Sequence, residues 1–284
     1  MNYRHAFHAG NHADVLKHLV LTRVLAHLAL KDKPFRALDA FAGLGVYDLD
    51  ADEARRTGEW LEGWGRLSAP FDPAVEAVLA PYRAAVAAVQ ARAGSERIYP
   101  GSPALIREAL RPGDRGVFVE LHPADAEVLR GHFARDRRVK VMQLDGWTAV
   151  NAQMPPQERR GLVLIDPPYE VPGEVGRLGT ALARAVAKWP TGIFLAWYPI
   201  KDMAAIDRMA ADLGAGLDRP ALRLDLLIDR PDDPTRLNGS GLIVVNPPWR
   251  LEAEMLAVLP ALAGRLARGG FGGFRCDPLG APPT

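Results

Sequence analysis

The sequence contains a single cysteine, Cys276, among 284 residues. One thiol excludes an intrachain disulfide framework and a zinc site built from cysteines, which favours a reducing compartment. No apolar run approaches the roughly 20 residues that a membrane-spanning helix needs. The first residues, Met1 to His5, also lack the apolar stretch of a signal peptide. The sequence therefore predicts a soluble, cytoplasmic protein that does not enter a membrane.

The chain also has almost no excess of one charge over the other, because 35 lysines and arginines nearly balance 34 acidic residues and leave a formal net charge of +1. This balance excludes a uniformly basic body that binds nucleic acid through overall charge. A nucleic-acid partner would have to meet local basic clusters, such as residues 135–140 and Arg159–Arg160, although such clusters are more often solvated surface. The length and the 48% hydrophobic content predict one main domain with an insertion.

The complete Gly-x-Gly-x-x-Gly fingerprint of dinucleotide-binding proteins is missing as well. In its place stands Phe41-Ala42-Gly43-Leu44-Gly45, directly after a short strand predicted over residues 35–40. Glycines let the backbone approach a ligand closely, so this segment is either a cofactor loop or a tight turn. The missing fingerprint weakens the hypothesis of a nicotinamide-dependent oxidoreductase, which a cofactor-binding titration would test.

Apolar runs and helical periodicities alternate along the chain and predict an α/β fold. An amphipathic helix is expected over residues 13–30, with Asn11 as its N-cap. Seven strands are expected, at residues 35–40, 116–119, 139–144, 161–165, 192–198, 221–228 and 241–245. The second strand ends at Glu120, which suits the hydroxyls of a ribose, and the third ends at Asp145-Gly146, where a carboxylate could hold an adenine amine.

The spacing between the glycines and the first of these carboxylates indicates an insertion. Glu120 follows Gly45 by 75 residues, whereas a nucleotide-binding unit usually reaches its carboxylate after about 20. We therefore predict a helical insertion subdomain over residues 48–98, in which Trp60 and Trp64 form a small core rather than an RNA-stacking platform. Residues 1–47 and 99–268 would form the main domain, and residues 269–284 a loosely ordered tail.

The most informative stretch is Asp166-Pro167-Pro168-Tyr169, directly after the apolar run 161–165. The two prolines stiffen the turn and remove two backbone donors, which leaves nearby carbonyls able to accept hydrogen bonds. A carboxylate and a flat ring beside such carbonyls suit an amino-bearing base that is stacked and held by its NH2 group. A stiff loop without chemistry is the alternative that four residues alone leave open.

A second stretch, Asn246-Pro247-Pro248-Trp249, offers similar local chemistry. The first stretch resembles the Asp-Pro-Pro-Tyr signature of amino-methyltransferases that use S-adenosylmethionine. In the strand order that this resemblance implies, the fourth strand adjoins the first, and the seventh is antiparallel and inserts beyond the fifth. Asp166 would then face a cofactor and Asn246 would not. We expect the second stretch to be structural, with its prolines ending the strand and Trp249 covering the sheet.

The N-terminal segment contains three histidines, His5, His8 and His12, within a few residues of one another. The carboxylates and cysteines of a recognisable zinc pattern are not present nearby, so no metal is expected. The planar and basic side chains of this segment could instead fold over a base and a phosphate near the cofactor.

Taken together, the chain resembles the bacterial methyltransferase J family of large-subunit ribosomal RNA, which forms N6-methyladenine. The resemblance covers nearly the whole length and is strongest in the N-terminal block. It is carried by Tyr3-Arg4-His5, residues 7–18, Arg56-Thr57-Gly58-Glu59, Tyr99-Pro100-Gly101-Ser102-Pro103, Glu120-Leu121-His122-Pro123, Asp166 to Glu170, Trp197-Tyr198-Pro199 and Asn246 to Trp249.

The resemblance implies a Rossmann-like class I methyltransferase fold with a seven-stranded mixed sheet whose last strand is antiparallel, and S-adenosyl-L-methionine as cofactor. It implies 23S ribosomal RNA as partner, before or during assembly of the large subunit, with adenine 2030 as target, and we expect a monomer. The residues implied to bind the cofactor are His18, Phe41, Gly43, Ser102, Glu120, Asp145, Gly146 and Asp166. Phe41 stands where the family usually has a histidine, so only backbone or stacking contact is expected there.

The same resemblance and the chemistry of the turn suggest how transfer would proceed. Asp166 and the Pro167 carbonyl would accept the protons of the amine, Tyr169 would stack on the base, and Lys17 would also act at the catalytic site. Tyr3, His5 and Tyr169 are expected to contact the RNA. Two rivals remain: a DNA adenine methyltransferase, although no separate DNA-reading domain is visible, and a noncatalytic RNA-binding protein on the same scaffold.

Overall fold

The computed structural model describes residues 4–279, so Tyr3 and the last five residues lie outside the described part. The strands are β1 (Arg36–Asp39), β2 (Val46–Asp48), β3 (Ile98–Pro100), β4 (Arg115–Glu120), β5 (Val139–Gln143), β6 (Gly161–Ile165), β7 (Ile193–Ile200), β8 (Ala221–Leu227), β9 (Gly239–Val245) and β10 (Gly273–Leu279). The α-helices are α1 (His12–Ala29), α2 (Asp52–Thr57), α3 (Glu59–Glu62), α4 (Pro73–Ala93), α5 (Ser102–Ala109), α6 (Pro123–Phe133), α7 (Gly146–Ala152), α8 (Glu174–Lys188), α9 (Met203–Gly216) and α10 (Leu251–Leu266). Short 3-10 helices cover His5–Phe7 and Trp64–Leu67.

The main sheet has the order β10-β8-β9-β7-β6-β1-β4-β5. β4, β1, β6 and β7 pair in parallel, β5 is parallel to β4, and β9 is antiparallel to both β7 and β8. The predicted α/β fold is confirmed, including the antiparallel strand beyond β7. Within residues 4–279 the sheet has eight strands rather than the seven expected.

The additional strand is β10, which falls in the segment predicted to be a loosely ordered tail. Its pairing with β8 runs from Gly273 opposite Leu227 to Leu279 opposite Ala221. Glycine and proline lower the β-propensity of this segment, but an edge strand tolerates proline. The backbone groups of β8 gain partners along this edge, and Cys276 packs inward as a free, buried thiol.

Helix α1 begins where the sequence predicted, because the Asn11 side chain accepts hydrogen bonds from the backbone of Ala13 at 2.9 Å and of Asp14 at 3.1 Å. It was expected to be amphipathic, but it is buried on nearly all sides. Apolar side chains pack against α4, α5 and β9, while the polar side chains of Lys17 and His18 line the cavity described below.

The segment 48–98 is helical, as predicted, and it leaves and rejoins the main domain through a two-stranded ribbon in which Val46 lies opposite Pro100 and Asp48 opposite Ile98. The apolar face of α4 belongs to the same core as α1. Trp60 and Trp64 pack against Ala9, Tyr47, Leu49 and Tyr99, most of which lie outside the segment. The division of the chain into domains stays a prediction.

Among residues 4–279 there is no helix long and apolar enough to cross a membrane.

Candidate active site

A cavity of about 330 Å³ opens beyond the carboxyl ends of β1, β4, β5 and β6. This is the edge where open α/β sheets bind ligands. Its lining includes ten of the residues predicted for the site, namely His5, Lys17, His18, Phe41, Gly43, Ser102, Glu120, Asp145, Gly146 and Asp166. Pro167 and Tyr169 are not part of the lining, and Tyr3 lies outside the described residues. One cavity thus collects side chains that are spread along the sequence from His5 to Asp166.

The glycine segment after β1 forms one wall of this cavity. Gly43 and Gly45 have φ angles of 61° and 82°, in the left-handed region that glycine adopts without strain. The Gly43 amide donates a hydrogen bond of 2.9 Å to Oε2 of Glu120. The segment is therefore both a tight turn and a cavity wall, so it is placed as a ligand loop would be.

Glu120 and Asp145 are held in fixed orientations by backbone donors. Oε1 of Glu120 accepts a hydrogen bond of 2.7 Å from the His122 amide, and burial raises the pKa of this carboxyl. Oδ2 of Asp145 caps α7 by accepting from the amide of Thr148 at 2.9 Å and from its hydroxyl at 2.8 Å. Each carboxylate keeps acceptor capacity toward the cavity, because a carboxylate has about four lone-pair sites.

Two aromatic residues, Phe41 and Trp147, also line the cavity. The ring of Phe41 meets Trp147 edge to face at 5.2 Å, and the guanidinium of Arg177 lies 4.6 Å from the Trp147 ring centroid. Gly146 is required there, because a Cβ would lie 2.3 Å from the Ala40 carbonyl oxygen and 2.6 Å from the Phe41 ring. Phe41 thus offers the cavity an apolar ring.

Asp39 ends β1 beneath the glycine segment and is fully buried. Burial raises its pKa to about 6, in spite of the nearby Ser102 hydroxyl and Lys17 ammonium, which lower it. Oδ1 accepts from the Phe41 amide at 3.3 Å, while Oδ2 is buried without a hydrogen-bond partner. Ser102 stands at the first position of α5 and lines the cavity.

The ammonium of Lys17 joins two carboxylates at the other end of the cavity. Its Nζ donates to Oδ2 of Asp166 at 2.5 Å and lies 2.8 Å from Oδ1 of Asp14. Burial alone would lower the pKa of Lys17, but Asp14 and Asp166 outweigh it and raise that pKa well above its usual value. Lys17 therefore stays charged and fixes one oxygen of Asp166, which leaves the other oxygen as an acceptor.

Two histidines adjoin this ion-pair cluster. His5 Nε2 lies 3.0 Å from Oδ2 of Asp14, and its ring meets Tyr47 edge to face at 5.3 Å. His18 lies 2.9 Å, through Nδ1, from the hydroxyl of Tyr99, which in turn lies 2.6 Å from the hydroxyl of Tyr82. Burial lowers the pKa of His18 to about 3, so this imidazole is neutral.

The turn after β6 holds Tyr169 away from the cavity. Its hydroxyl donates a hydrogen bond of 2.6 Å to the Trp197 carbonyl, and its ring meets the Trp197 ring edge to face at 5.6 Å. Tyr169 also has a φ angle of 54°, which is uncommon for a residue other than glycine. These contacts with β7 hold the Tyr169 side chain beside the cavity rather than in its lining. The role of Tyr169 toward a base stays a prediction.

Asn246 lies at the opposite end of the sheet, because β9 runs antiparallel to β7. Its amide donates to the carbonyls of Pro190 at 2.9 Å and Gly192 at 2.7 Å, so it serves the fold. The prediction that Trp249 covers the sheet is wrong, since this side chain is 74% exposed and Arg250 packs 4.5 Å from its ring centroid. The turn points the indole outward once the strand has ended.

Within the described range of the chain, no group of three histidine, cysteine, aspartate or glutamate side chains is arranged to hold a metal ion.

Sequence reasoning missed Trp147, which lines the cavity, and also Asp14 and Asp39, which contact Lys17 and Phe41 of the lining. Asp14 precedes Lys17 by three positions and His18 by four, which puts all three on one helix face, a signal the sequence did carry. Trp147 follows Gly146 directly. Asp39 gave only the weak signal of an acidic residue within a short apolar strand.

The strand order, with β9 inserted antiparallel beside β7, and the acid-lined cavity beyond β1, β4, β5 and β6 define a class I methyltransferase. A family model described as "Ribosomal RNA large subunit methyltransferase D, RlmJ" matches residues 32–278. The chain belongs to this family of ribosomal RNA large subunit methyltransferases.

Individual relatives agree over nearly the full length. The protein named ribosomal RNA large subunit methyltransferase J from Escherichia coli K12 is 43% identical over 272 residues, 96% of either chain. The protein of the same name from Haemophilus influenzae is 40% identical over 278 residues, 98% of either chain. A crystal structure of a Legionella pneumophila protein is similar with a TM-score of 0.84 and 31% identity, covering 96% of this chain and 98% of that one.

Proposed function

We propose that this protein transfers the methyl group of S-adenosyl-L-methionine to N6 of an adenine in 23S ribosomal RNA. The observation that carries the proposal is the carboxylate of Asp166 at the end of β6, with one oxygen fixed by Lys17 and the residue facing the cavity. The names of the relatives support ribosomal RNA as the substrate class. Such a substrate would also make the protein cytoplasmic.

The residues of the cavity fit this cofactor. Glu120 is a buried, oriented acceptor suited to ribose hydroxyls, and Asp145 caps α7 where an adenine amine could be held. The Phe41 ring supplies an apolar surface beside Gly146. His18, Ser102 and Gly43 also belong to the lining. When bound, the cofactor supplies a methyl group on a positively charged sulfur.

Asp166 would do the chemical work of the protein. The exocyclic nitrogen of adenine is a poor nucleophile, because its lone pair is delocalised into the ring. If Asp166 and the Pro167 carbonyl accept hydrogen bonds from the two N–H groups of the amine, the lone pair of the nitrogen becomes more available. Asp166 is then the group that receives the one proton released after transfer. Lys17 keeps the Asp166 carboxylate oriented while this happens. Holding the reacting atoms in line would contribute further acceleration.

Substrate contacts would come from the N-terminal segment. His5 lines the cavity next to Tyr47 and is held by Asp14. We propose that His5 and Tyr3 contact RNA around the target base, which must leave its helix to reach the cavity. Tyr169 would border the base from the turn after β6, where its hydroxyl is held by the Trp197 carbonyl of β7. The proposal also includes that the RNA is bound before or during assembly of the large subunit, and that the protein acts as a monomer.

The test is incubation of the protein with radiolabelled S-adenosyl-L-methionine and unmodified large-subunit ribosomal RNA, followed by digestion to nucleosides. Labelled N6-methyladenosine is expected, and mapping of the label would show whether adenine 2030 is the target. Asp166→Ala should abolish transfer while cofactor binding, measured by calorimetry, persists. Near-normal turnover by this variant would contradict the assignment of Asp166.

Parallel reactions separate the alternatives. Label in adenine-containing duplex DNA, but not in RNA, would indicate a DNA methyltransferase instead. Failure of the wild-type protein to bind S-adenosyl-L-methionine would favour a noncatalytic RNA-binding role. Transfer to an assembling large-subunit particle, but not to free RNA, would identify the particle as the substrate.

A further inference from the structure

We propose that Asp14 is a positioning residue of the transfer site, which acts through Lys17 and His5 without touching the substrate. The inference rests on the function proposed above and extends it to a side chain that is not part of the cavity lining. Asp14 is completely buried. Its contacts nevertheless lead to three residues that do line the cavity.

The carboxylate of Asp14 is the centre of these contacts. Oδ2 accepts a hydrogen bond of 2.8 Å from the Gly10 amide and lies 3.0 Å from Nε2 of His5. Oδ1 lies 2.8 Å from Nζ of Lys17 and 3.7 Å from Nε2 of His18. One side chain therefore joins the 3-10 helix His5–Phe7, the turn before α1 and the polar face of α1.

Helix geometry explains why this position suits the task. Asp14, Lys17 and His18 stand at positions i, i+3 and i+4 of α1, and such residues share one face of a helix. The Asp14 amide is itself held by the Asn11 cap. The carboxylate is therefore fixed to the start of the helix, and Lys17 reaches from it toward β6.

Charge gives Asp14 its effect on the chemistry. Lys17 is buried between two carboxylates, those of Asp14 and Asp166. Burial disfavours an ammonium, so each carboxylate contributes to keeping Lys17 charged and extended toward Asp166. Without Asp14, Lys17 would retain one counter-charge, and its ammonium would be free to follow Asp166 rather than fix it.

The pKa of Lys17 depends on the titratable groups that face its ammonium. They are the carboxylates of Asp14, Asp166 and the buried Asp39, the imidazole of His18, and the hydroxyl of Tyr82. Of these, only Asp14 and Asp166 contact the ammonium directly. Removal of Asp14 therefore should lower the pKa of Lys17, which an inert structural role for Asp14 would not require.

The experiment compares the full-length wild-type protein with Asp14→Asn and Asp14→Glu. For Asp14→Asn we expect kcat to fall by about 10- to 100-fold, the dissociation constant for S-adenosyl-L-methionine to stay within about threefold, and an alkaline limb to enter the pH profile of kcat. The titration of Lys17, followed by NMR of its labelled Cε and assigned with Lys17→Arg, should move to lower pH. Asp14→Glu keeps the charge but displaces it, so kcat should fall while Lys17 remains charged.

Thr22→Val is the matched control. Thr22 is a buried polar residue of α1 whose hydroxyl lies 2.8 Å from the His18 carbonyl and 2.9 Å from the Leu19 carbonyl. This variant should lose stability without a change in the pH profile or in the Lys17 titration. If Asp14→Asn, like Thr22→Val, loses stability without a change in the pH profile or in the Lys17 titration, the inference is wrong. It is also wrong if Asp14→Asn keeps the kcat of the wild type.

The readouts also separate this inference from the proposed function. If the wild-type protein methylates no RNA, the proposed function fails, and the Lys17 titration still decides whether Asp14 holds the ammonium. An unchanged titration in Asp14→Asn would overturn the inference whatever the activity. If Asp14→Asn does not fold, Asp14→Glu and its kcat decide, since a wild-type kcat would then contradict a positioning role.

Discussion

Replacing Asp39 with asparagine should flatten the pH dependence of stability that this buried carboxyl imposes. An ordinary aspartate has a pKa of 3.8, and burial raises the pKa of Asp39 in the folded chain to about 6. The folded state therefore binds this proton more tightly than the unfolded state does. Its contribution to stability is fully present below pH 3.8 and is lost as the pH rises through 6.

The magnitude follows from the difference between the two pKa values. Each pH unit of difference corresponds to about 1.36 kcal/mol, so the loss between the two limits comes to about 3 kcal/mol. Asparagine keeps an oxygen for the Phe41 amide and carries no charge at any pH. Relative to the wild type, Asp39→Asn should therefore gain about 3 kcal/mol in the free energy of unfolding between pH 3.5 and pH 8.

Urea denaturation of both proteins across this pH range provides the assay. Asp114→Asn is a matched control of opposite sign. Burial alone would raise the pKa of Asp114, but hydrogen bonds from the Arg111 side chain and the amides of Arg111 and Phe35 lower it. This carboxylate stabilises the fold above its unfolded pKa, and its contribution is lost as the pH falls. Stability curves of the wild type and Asp39→Asn that run parallel over the whole range would refute the reasoning.

Three further predictions concern close packing, exposure and buried charge. Gly146→Ala should weaken binding of S-adenosyl-L-methionine in calorimetry and cost about 1–3 kcal/mol of stability, because a Cβ would meet the Ala40 carbonyl at 2.3 Å. Trp249→Ala should change the free energy of unfolding by less than about 1 kcal/mol, since the side chain is 74% exposed; a larger loss in urea denaturation would contradict its assignment as surface. Arg223→Met should cost about 3 kcal/mol, seen as a lower urea midpoint, because it leaves the buried Asp225 carboxylate without the guanidinium 2.9 Å away.

Much of the fold and of the cavity could be predicted because the signals were local. A five-residue apolar run followed by Asp166 identifies both a buried strand and the residue that leaves its carboxyl end. Glu120 and Asp145 follow strands in the same way, so their meeting at one edge of a parallel sheet was expected. The Asn11 cap was predictable from one residue type at the start of a helical repeat.

The remainder depended on contacts between distant parts of the chain. β10 forms only because β8 offers it an edge, and nothing within a Gly-rich segment announces that pairing. Asp14 is an ordinary helix residue until Lys17 bridges it to Asp166, which lies 149 residues after Lys17. The Tyr169 hydroxyl donates to the Trp197 carbonyl on β7, a contact that the sequence did not predict, and the stacking of Tyr169 on a base stays a prediction.

The position of β8 in the sheet has a consequence for how the protein is made. Both of its hydrogen-bonding neighbours, β9 and β10, come later in the chain, and β10 ends at Leu279. As the ribosome synthesises the protein from its N-terminus, β8 emerges with two unpaired edges and keeps one of them until residues 273–279 have appeared. A product that stops before Gly273 would carry an uncovered strand able to pair with a second nascent chain. The segment that looked least important in the sequence thus covers an edge of β8 once it has been synthesised.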